Sequence, residues 1–350
     1  MSAKTVGILT GGGDCPGLNA AIRAITKTVI QEYGWSVFGV LDGYEGLIEG
    51  RGRELRLEDV SNILPLGGTI LGTSNTANPF SPVDVSDKAC ANIKKWKLDV
   101  LFCIGGDGTL SIANSLHKKF PNIIGLPKTI DNDLKCTDQT FGFDTACAFA
   151  TEALDKLHTT ADSHHRVMVM EVMGRYAGWI ALEGGVAGGG DVILIPEMPF
   201  SFDKVVEAVE KRRKGRKRSS LVVVAEGARP QGEDYTISKL VKNSPDPIRF
   251  GGIGKRVADY IQQAAGVESR VTVLGHLQRG GSPSFFDRIL ATRYGYAAAE
   301  LAKKGEFGKM TSLRGGSIVS VDIKEAVSGL KLVQEKDIKM ALSLGTSFGI

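Results

Sequence analysis

Short, continuous apolar runs alternate along this chain with longer segments whose apolar residues return every three or four positions. A run such as Val100–Ile104 offers no polar residue to water, so it fits a strand buried on both faces of a sheet. Leu18, Ile22, Ile25 and Val29 share one face of a helix over Leu18–Tyr33, with Asn19, Arg23 and Lys27 as a polar stripe and Gly34 as its stop. The same reading predicts strands at Thr5–Leu9, Ser36–Leu41, Asn122–Leu126, Arg166–Val172, Val192–Ile195, Leu221–Ala225 and Ser269–Leu274. Helices fit the segment after Gly105 to about Phe120, Gly142–His158, Phe202–Lys214, Gly251–Ala265 and Phe286–Lys304. Repeated strand–helix alternation specifies an α/β fold of mainly parallel sheets covered by helices on both faces, and 350 residues suffice for two such units.

Composition narrows the function classes. With 42% hydrophobic and 23% charged residues the chain can build a core and a soluble surface, which excludes a disordered segment. The 44 glycines cluster at predicted strand ends, in Gly11–Gly13, Gly105–Gly108, Gly184–Gly190 and Gly280-Gly281, instead of recurring every third residue, which excludes a collagen. Net charge is 43 − 39 = +4, but Lys211-Arg212-Arg213-Lys214-Gly215-Arg216-Lys217-Arg218 alone carries +7, leaving −3 for the remainder. No aromatic residue interleaves that run to stack on bases, so it reads as a solvated helix end and loop, with neither nucleic acid nor membrane as partner. Cys15, Cys90, Cys103, Cys136 and Cys147 are scattered, as expected of reduced thiols in a cytoplasmic protein. No apolar run approaches the ~18 residues of a membrane span, and Met1–Lys4 leads directly into a strand without signal-peptide architecture.

Ligands of open α/β sheets bind in crevices beyond the carboxyl ends of the strands. Gly11-Gly12-Gly13-Asp14, Gly105-Gly106-Asp107-Gly108-Thr109 and Thr129-Ile130-Asp131-Asn132-Asp133 each follow a predicted strand. So do Met173-Gly174-Arg175, Glu226-Gly227 and His276-Leu277-Gln278-Arg279-Gly280-Gly281. Glycines at a strand-to-helix turn let backbone N–H groups approach phosphate, although Gly11–Gly13 alone fits a plain tight turn equally well. It is no dinucleotide fingerprint, because Pro16 stands where the third glycine is required, and Gly254-Lys255-Arg256 is no Walker loop. Asp107, flanked by small residues, suits Mg²⁺ bridging two phosphates, or a helix cap. Asp131 and Asp133 lie two apart, on one side of an extended chain, and can divide the roles of base and electrostatic partner. Pro127, Lys128, Thr129 and Asn132 make that strand end densely polar. Arg166, Arg175, Arg270, His276 and Arg279 supply cations suited to a sugar phosphate.

Taken together, these elements resemble the 6-phosphofructokinase family. The match runs from Gly11–Arg23 through Gly105–Thr109, Pro127–Asp133, Glu171–Arg175 and Glu226 to Leu274–Pro283, in the family's order and over nearly the whole chain. The resemblance implies phosphoryl transfer to the 1-hydroxyl of fructose 6-phosphate, with Asp131 as base, Asp133 in support and Asp107 holding Mg²⁺. Thr129 and the backbone of Gly12 and Gly13 would contact the transferred group, whose charge Arg175 neutralises. Gly105, Gly106, Gly108, Thr109 and Lys128 would line the donor side. Arg166, Arg270, His276 and Arg279 would grip the 6-phosphate, with Met173, Gly174 and Glu226 on the sugar. Two of the arginines would cross a subunit interface, implying a homodimer or homotetramer. The implied architecture is two similar three-layer α/β domains with the active-site cleft between them. The donor-binding domain would take 1–142 plus about 278–328, and the sugar-binding domain about 143–277 plus 329–350.

Members of the family use ATP or pyrophosphate. Pyrophosphate users tend to carry Asp where Gly108 stands together with Lys where Lys128 stands; ATP users commonly carry glycine at both. Gly108 leaves room for an α-phosphate and nucleoside, so ATP is the expected donor and pyrophosphate the alternative. Asn75 replaces a donor-contacting arginine of many relatives. Arg23, Lys27 and the basic run near Lys217 match parts of an effector site, whereas His158 replaces its arginine. NAD and lipid kinases share a glycine–aspartate–glycine loop but leave Met173–Arg175 and His276–Gly281 unexplained. A non-catalytic nucleotide sensor would not need Asp107, Asp131 and Asp133 all in place.

Overall fold

The structure is a computed structural model that describes residues 4–215, 217–240 and 248–350. β1 (Thr5–Thr10), β2 (Ser36–Val40), β3 (Gly52–Leu55), β4 (Val100–Gly105) and β5 (Ile123–Pro127) open one sheet. β6 (Val167–Val172), β7 (Val192–Leu194) and β8 (Ser220–Ala225) begin a second, and β9 (Ile237–Leu240) with β10 (Ile248–Phe250) forms a separate antiparallel pair. β11 (Ser269–Val273) completes the second sheet, after which β12 (Lys309–Arg314) and β13 (Ser317–Asp322) return to the first. The strand orders are β13-β12-β5-β4-β1-β2-β3 and β11-β6-β8-β7. Pairing within the two sheets is parallel except for β2–β3 and β12–β13.

Alternate residues of one strand feed different cores, as a three-layer unit requires. Phe102 and Ile104 of β4 pack with Leu18, Ile22, Ile25 and Val29 of the helix Leu18–Tyr33. Leu101 and Cys103 face the opposite side, against Leu110, Ala113 and Leu116 of the helix Asp107–His117. Each such fully buried aliphatic side chain contributes on the order of 1.5–3 kcal/mol. The second sheet repeats the pattern, Met168, Met170 and Val172 on one side and Val167 and Val169 on the other.

Three expectations need correction. Asn19 is no part of a solvated stripe: it is buried, its amide donates to the Leu66 and Gly67 carbonyls, and its Oδ1 accepts from Ile70 N–H. Gly184 and Gly185 are not strand-end glycines but lie inside the helix Trp179–Ala187, pressed against Ala150 and Ile193. The helix predicted at Gly142–His158 runs over Phe143–His164 instead. Sequence reading also passed over β3, β12 and β13: β3 and β13 lie at sheet edges and keep polar residues, and β12, inside the sheet, carries buried Thr311 and Ser312, so none reads as an apolar run. Of the basic run, Lys211–Lys214 close a helix and Lys217 and Arg218 are exposed, while Arg216 lies outside the described residues. No helix among the described residues is long and apolar enough to cross a membrane.

Candidate active site

The strand order places β5, β4 and β1 side by side, so the turns after Thr10, Gly105 and Pro127 share one edge of the first sheet. The chain leaves β1 toward β2 on one side and returns as β4 on the other, which opens a crevice at this switch point. Thr109 closes its floor. A Cβ on Gly11 would come within 2.7 Å of Thr109 Oγ1, and Gly105 is packed against the same side chain. Gly12 has φ +76°, a conformation that costs glycine little and other residues more. Its N–H donates to the Ser74 carbonyl and its own carbonyl accepts from Thr73 Oγ1 at 2.6 Å, so the turn bearing the exposed Asn75 is fastened to the glycine loop.

Gly108 differs from its neighbours. A Cβ built there meets no heavy atom within 4 Å, and the residue is exposed in the first turn of the helix Asp107–His117. Packing therefore does not require glycine at this position, and what its missing side chain provides is open space beside Asp107. Burial raises the proton affinity of Asp107.

The carboxylates of Asp131 and Asp133 are not brought together by extended alternation, as the spacing alone implied. Asn132 between them sits at φ +50° in a turn, with its Oδ1 accepting from Thr140 N–H and from Lys331 Nζ. Burial pushes Asp131 up, against the pull of Arg279, Arg175 and Lys128, and its Oδ1 has no hydrogen-bond partner among the described residues. Asp133 is pushed up to about 7 by burial, then by the charges of Asp131 and Asp107. Lys128 is buried with its ammonium on the Gly13 carbonyl, and burial lowers its proton affinity.

The second sheet meets this edge with its own carboxyl ends. β6, β8 and β11 are neighbours, which groups Met173–Arg175, Glu226 and the 3₁₀ turn Gly275–Arg279. Buried Gln278 holds the group together, its Oε1 accepting from Met173 N–H and its amide donating to the Gly275 carbonyl. Gly227 lies against the Arg175 carbonyl, where any Cβ would collide. Arg279 spans the cleft: its Nη1 donates to the Asp14 carbonyl at 3.2 Å and lies where a Gly13 Cβ would come within 2.5 Å. Glu226 is pushed up to about 7 by burial and the nearby Asp131, and Arg175 opposes this.

Two of the anticipated sugar-phosphate cations lie elsewhere. Arg166 precedes β6 and Arg270 is the second residue of β11, so both occupy the amino edge of the second sheet, away from the carboxyl ends. There they share Glu268, with Arg166 Nε at 2.7 Å. His276 is exposed at the cleft side. Arg23 and Lys27 line a cavity of about 840 Å³ with Arg293, Tyr296 and Lys304, whereas Arg213, Lys214 and Arg218 line a different one of about 670 Å³. One chain thus does not unite the anticipated effector cations, and His158 pairs with Asp162 on an exposed helix face. Sequence reasoning also missed Lys331, which reaches Asn132, between Asp131 and Asp133, from 199 positions away and has no local motif around it.

The sequence model of the phosphofructokinase family matches residues 5–302. The chain belongs to the phosphofructokinase family. It is 50% identical to the ATP-dependent 6-phosphofructokinase 2 of Clostridium perfringens, over 99% of this chain and 98% of that one. It is equally 50% identical to a pyrophosphate–fructose 6-phosphate 1-phosphotransferase of Amycolatopsis methanolica, over 94% and 96%. Its fold superposes on Pichia pastoris phosphofructokinase in the T-state with a TM-score of 0.83 and 34% identity, covering 99% of this chain but 37% of that longer one. The phosphofructokinase fold here is the mixed, mostly parallel α/β architecture expected from the sequence.

The buried carboxylates at this edge of the phosphofructokinase fold carry a stability cost with a defined sign. Asp133 has a higher proton affinity folded than unfolded, so stability is highest below its ordinary value of 3.8 and falls as pH rises through about 7. In metal-free protein, Asp133→Asn is expected to raise Tm at pH 8 by about 2–4 °C or more, with the gain shrinking toward pH 4. Thermal melts across that range check it; an unchanged or lower Tm at pH 8 would show that the Asp133 charge is compensated.

Proposed function

We propose that this chain transfers the γ-phosphoryl group of ATP to the 1-hydroxyl of D-fructose 6-phosphate, giving fructose 1,6-bisphosphate. The observation that carries this reading is the buried Asp131 Oδ1, without a hydrogen-bond partner among the described residues, at the edge where the glycine turns of one sheet meet the arginines of the other. In this reading Asp131 accepts the hydroxyl proton as the oxygen attacks the γ-phosphorus, the bond from that phosphorus to the β,γ-bridging oxygen breaks to release ADP, and Asp133 keeps the loop electronegative. Thr129, whose Oγ1 accepts from Asp131 N–H at 3.1 Å, holds the loop and faces the transferred group. The backbone of Gly12, Gly13, Gly105 and Gly106 and the side chains of Thr109 and Lys128 cradle the donor. Arg175 offsets charge on the phosphoryl group, which fits a reaction in which positioning and electrostatics supply most of the rate.

Among the described residues no three His, Cys, Asp or Glu converge as a metal cage. That suits Mg²⁺, which is typically held by one or two carboxylates with substrate phosphates and water. Asp107, half-buried at a helix start beside open space, fits as the carboxylate. When bound, the ion would screen the donor phosphates. On the sugar side, Met173, Gly174 and Glu226 would contact the ring, with His276 and Arg279 on the 6-phosphate. Arg166 and Arg270 complete that grip only from a second copy, because their own sheet edge faces away; a homodimer or homotetramer with shared sites follows. The division into 1–142 plus about 278–328 and about 143–277 plus 329–350 belongs to the same reading. It is supported by β12 pairing with β5 and by the bridge of Ser347 to Val192.

ATP is preferred to pyrophosphate because of the open space at Gly108. A coupled assay with fructose 6-phosphate and Mg²⁺ is expected to show turnover with ATP well above that with pyrophosphate. Turnover with pyrophosphate alone would assign the other donor, and turnover with neither would overturn the kinase reading.

A further inference from the structure

Residues 330–331 cross between the two sheets directly behind the base loop. Leu330 bridges Leu134, and Lys331 N–H donates to the Asp133 carbonyl at 2.7 Å. The Lys331 ammonium then makes three hydrogen bonds, to Asn132 Oδ1 at 2.8 Å, the Asp138 carbonyl at 2.9 Å and the Thr137 carbonyl at 3.1 Å. These use all three of its donors. From the other side Trp179, at the start of a helix that packs in the second unit's core, donates its indole N–H to the Lys331 carbonyl at 2.8 Å. The same ring lies 5.5 Å from the ammonium. Glu197 accepts from both Gly178 and Val333 N–H, anchoring the segment on either side of these contacts.

We propose that Lys331 is a positioning residue for catalysis, holding Asn132 in its left-handed turn so that Asp131 and Asp133 are presented to the cleft. The inference rests on the kinase reading above, in which those aspartates serve the transfer. Asn132 is the pivot: a non-glycine residue at φ +50° whose side chain is gripped from two directions. Lys331 itself touches the loop's backbone and Asn132 and is tied to Trp179, so it also links the base loop to the sugar-binding side.

The test uses the full chain with fructose 6-phosphate, ATP and Mg²⁺. Lys331→Met is expected to lower kcat roughly 10- to 100-fold, since small misplacements of reacting groups cost rates of that order. KM for both substrates should stay within about twofold, the pattern of an interaction expressed in the transition state, and Lys331→Arg should recover part of the loss. Asn132→Gly provides an independent reading, because glycine takes the left-handed conformation without a brace. In that background Lys331→Met should cost less than about threefold, a coupling that a general loss of stability would not produce. Should Lys331→Met fail to fold, Lys331→Gln is read by the same cycle. An active wild type with an unchanged kcat in the Lys331 variant, or an equal loss in both backgrounds, overturns this inference alone. A wild type that transfers no phosphoryl group overturns the kinase reading with it.

Discussion

Asp131→Asn is expected to lower kcat by roughly 10²- to 10⁴-fold, the range associated with losing a positioned general base. The amide keeps the shape of the carboxylate but cannot take the hydroxyl proton. KM for fructose 6-phosphate should move only a few-fold, because Arg279, Glu226 and the backbone near Met173 remain in place. Two further readouts separate a chemical role from a structural one. Burial raises the proton affinity of Asp131, so removing the charge should leave Tm unchanged or higher. Wild-type activity should also rise with pH as Asp131 loses its proton, and the variant's residual activity should lack that dependence. A near-normal kcat in Asp131→Asn would remove Asp131 from the base role.

Gly108→Asp is expected to reduce kcat/KM for ATP by about 10²- to 10³-fold while the fold is retained. A side chain at this position meets no protein atom, and an acidic residue in the first helical turn is favourable to the helix dipole. The change therefore acts on the ligand. A carboxylate about 4 Å from an α-phosphate, at an effective dielectric near 20, repels it by about 4 kcal/mol. It also fills space that the nucleoside side of ATP would need. Pyrophosphate has no α-phosphate beyond its two groups, so any turnover with it should fall less. Steady-state kinetics with both donors, alongside thermal melts, decide the matter; unchanged ATP kinetics would show that position 108 does not control access.

Much of the first sheet was legible because its central strands are buried on both faces and read as unbroken apolar runs. β1, β4 and β5 were each located to within a residue or two. The edge strands β3 and β13 were not, since one side of each lacks a partner and polar residues are tolerated there. Glycine turns at the carboxyl ends of those central strands pointed to phosphate, and the physical reason is local: backbone N–H groups and space for a ligand. Asn19 misled because helical spacing places it on the polar stripe, whereas the loop at Leu66–Ile70 folds over it and supplies three hydrogen-bonding partners.

What the chain determined by itself, then, is the alternation that builds two parallel sheets and the residue types at their carboxyl edges, because periodicity and turn chemistry are local properties. Which of those residues act together was decided by tertiary structure. Strand order made neighbours of the turns at Gly11, Gly105 and Lys128, and the meeting of the two sheets set Arg279 against Gly13 while leaving Arg166 and Arg270 at the opposite edge. Burial, which no spacing rule reports, raised the proton affinity of Asp131, Asp133 and Glu226. Lys331 shows the same division, since its ammonium grips Asn132 only because the chain crosses between the sheets a third time near its end.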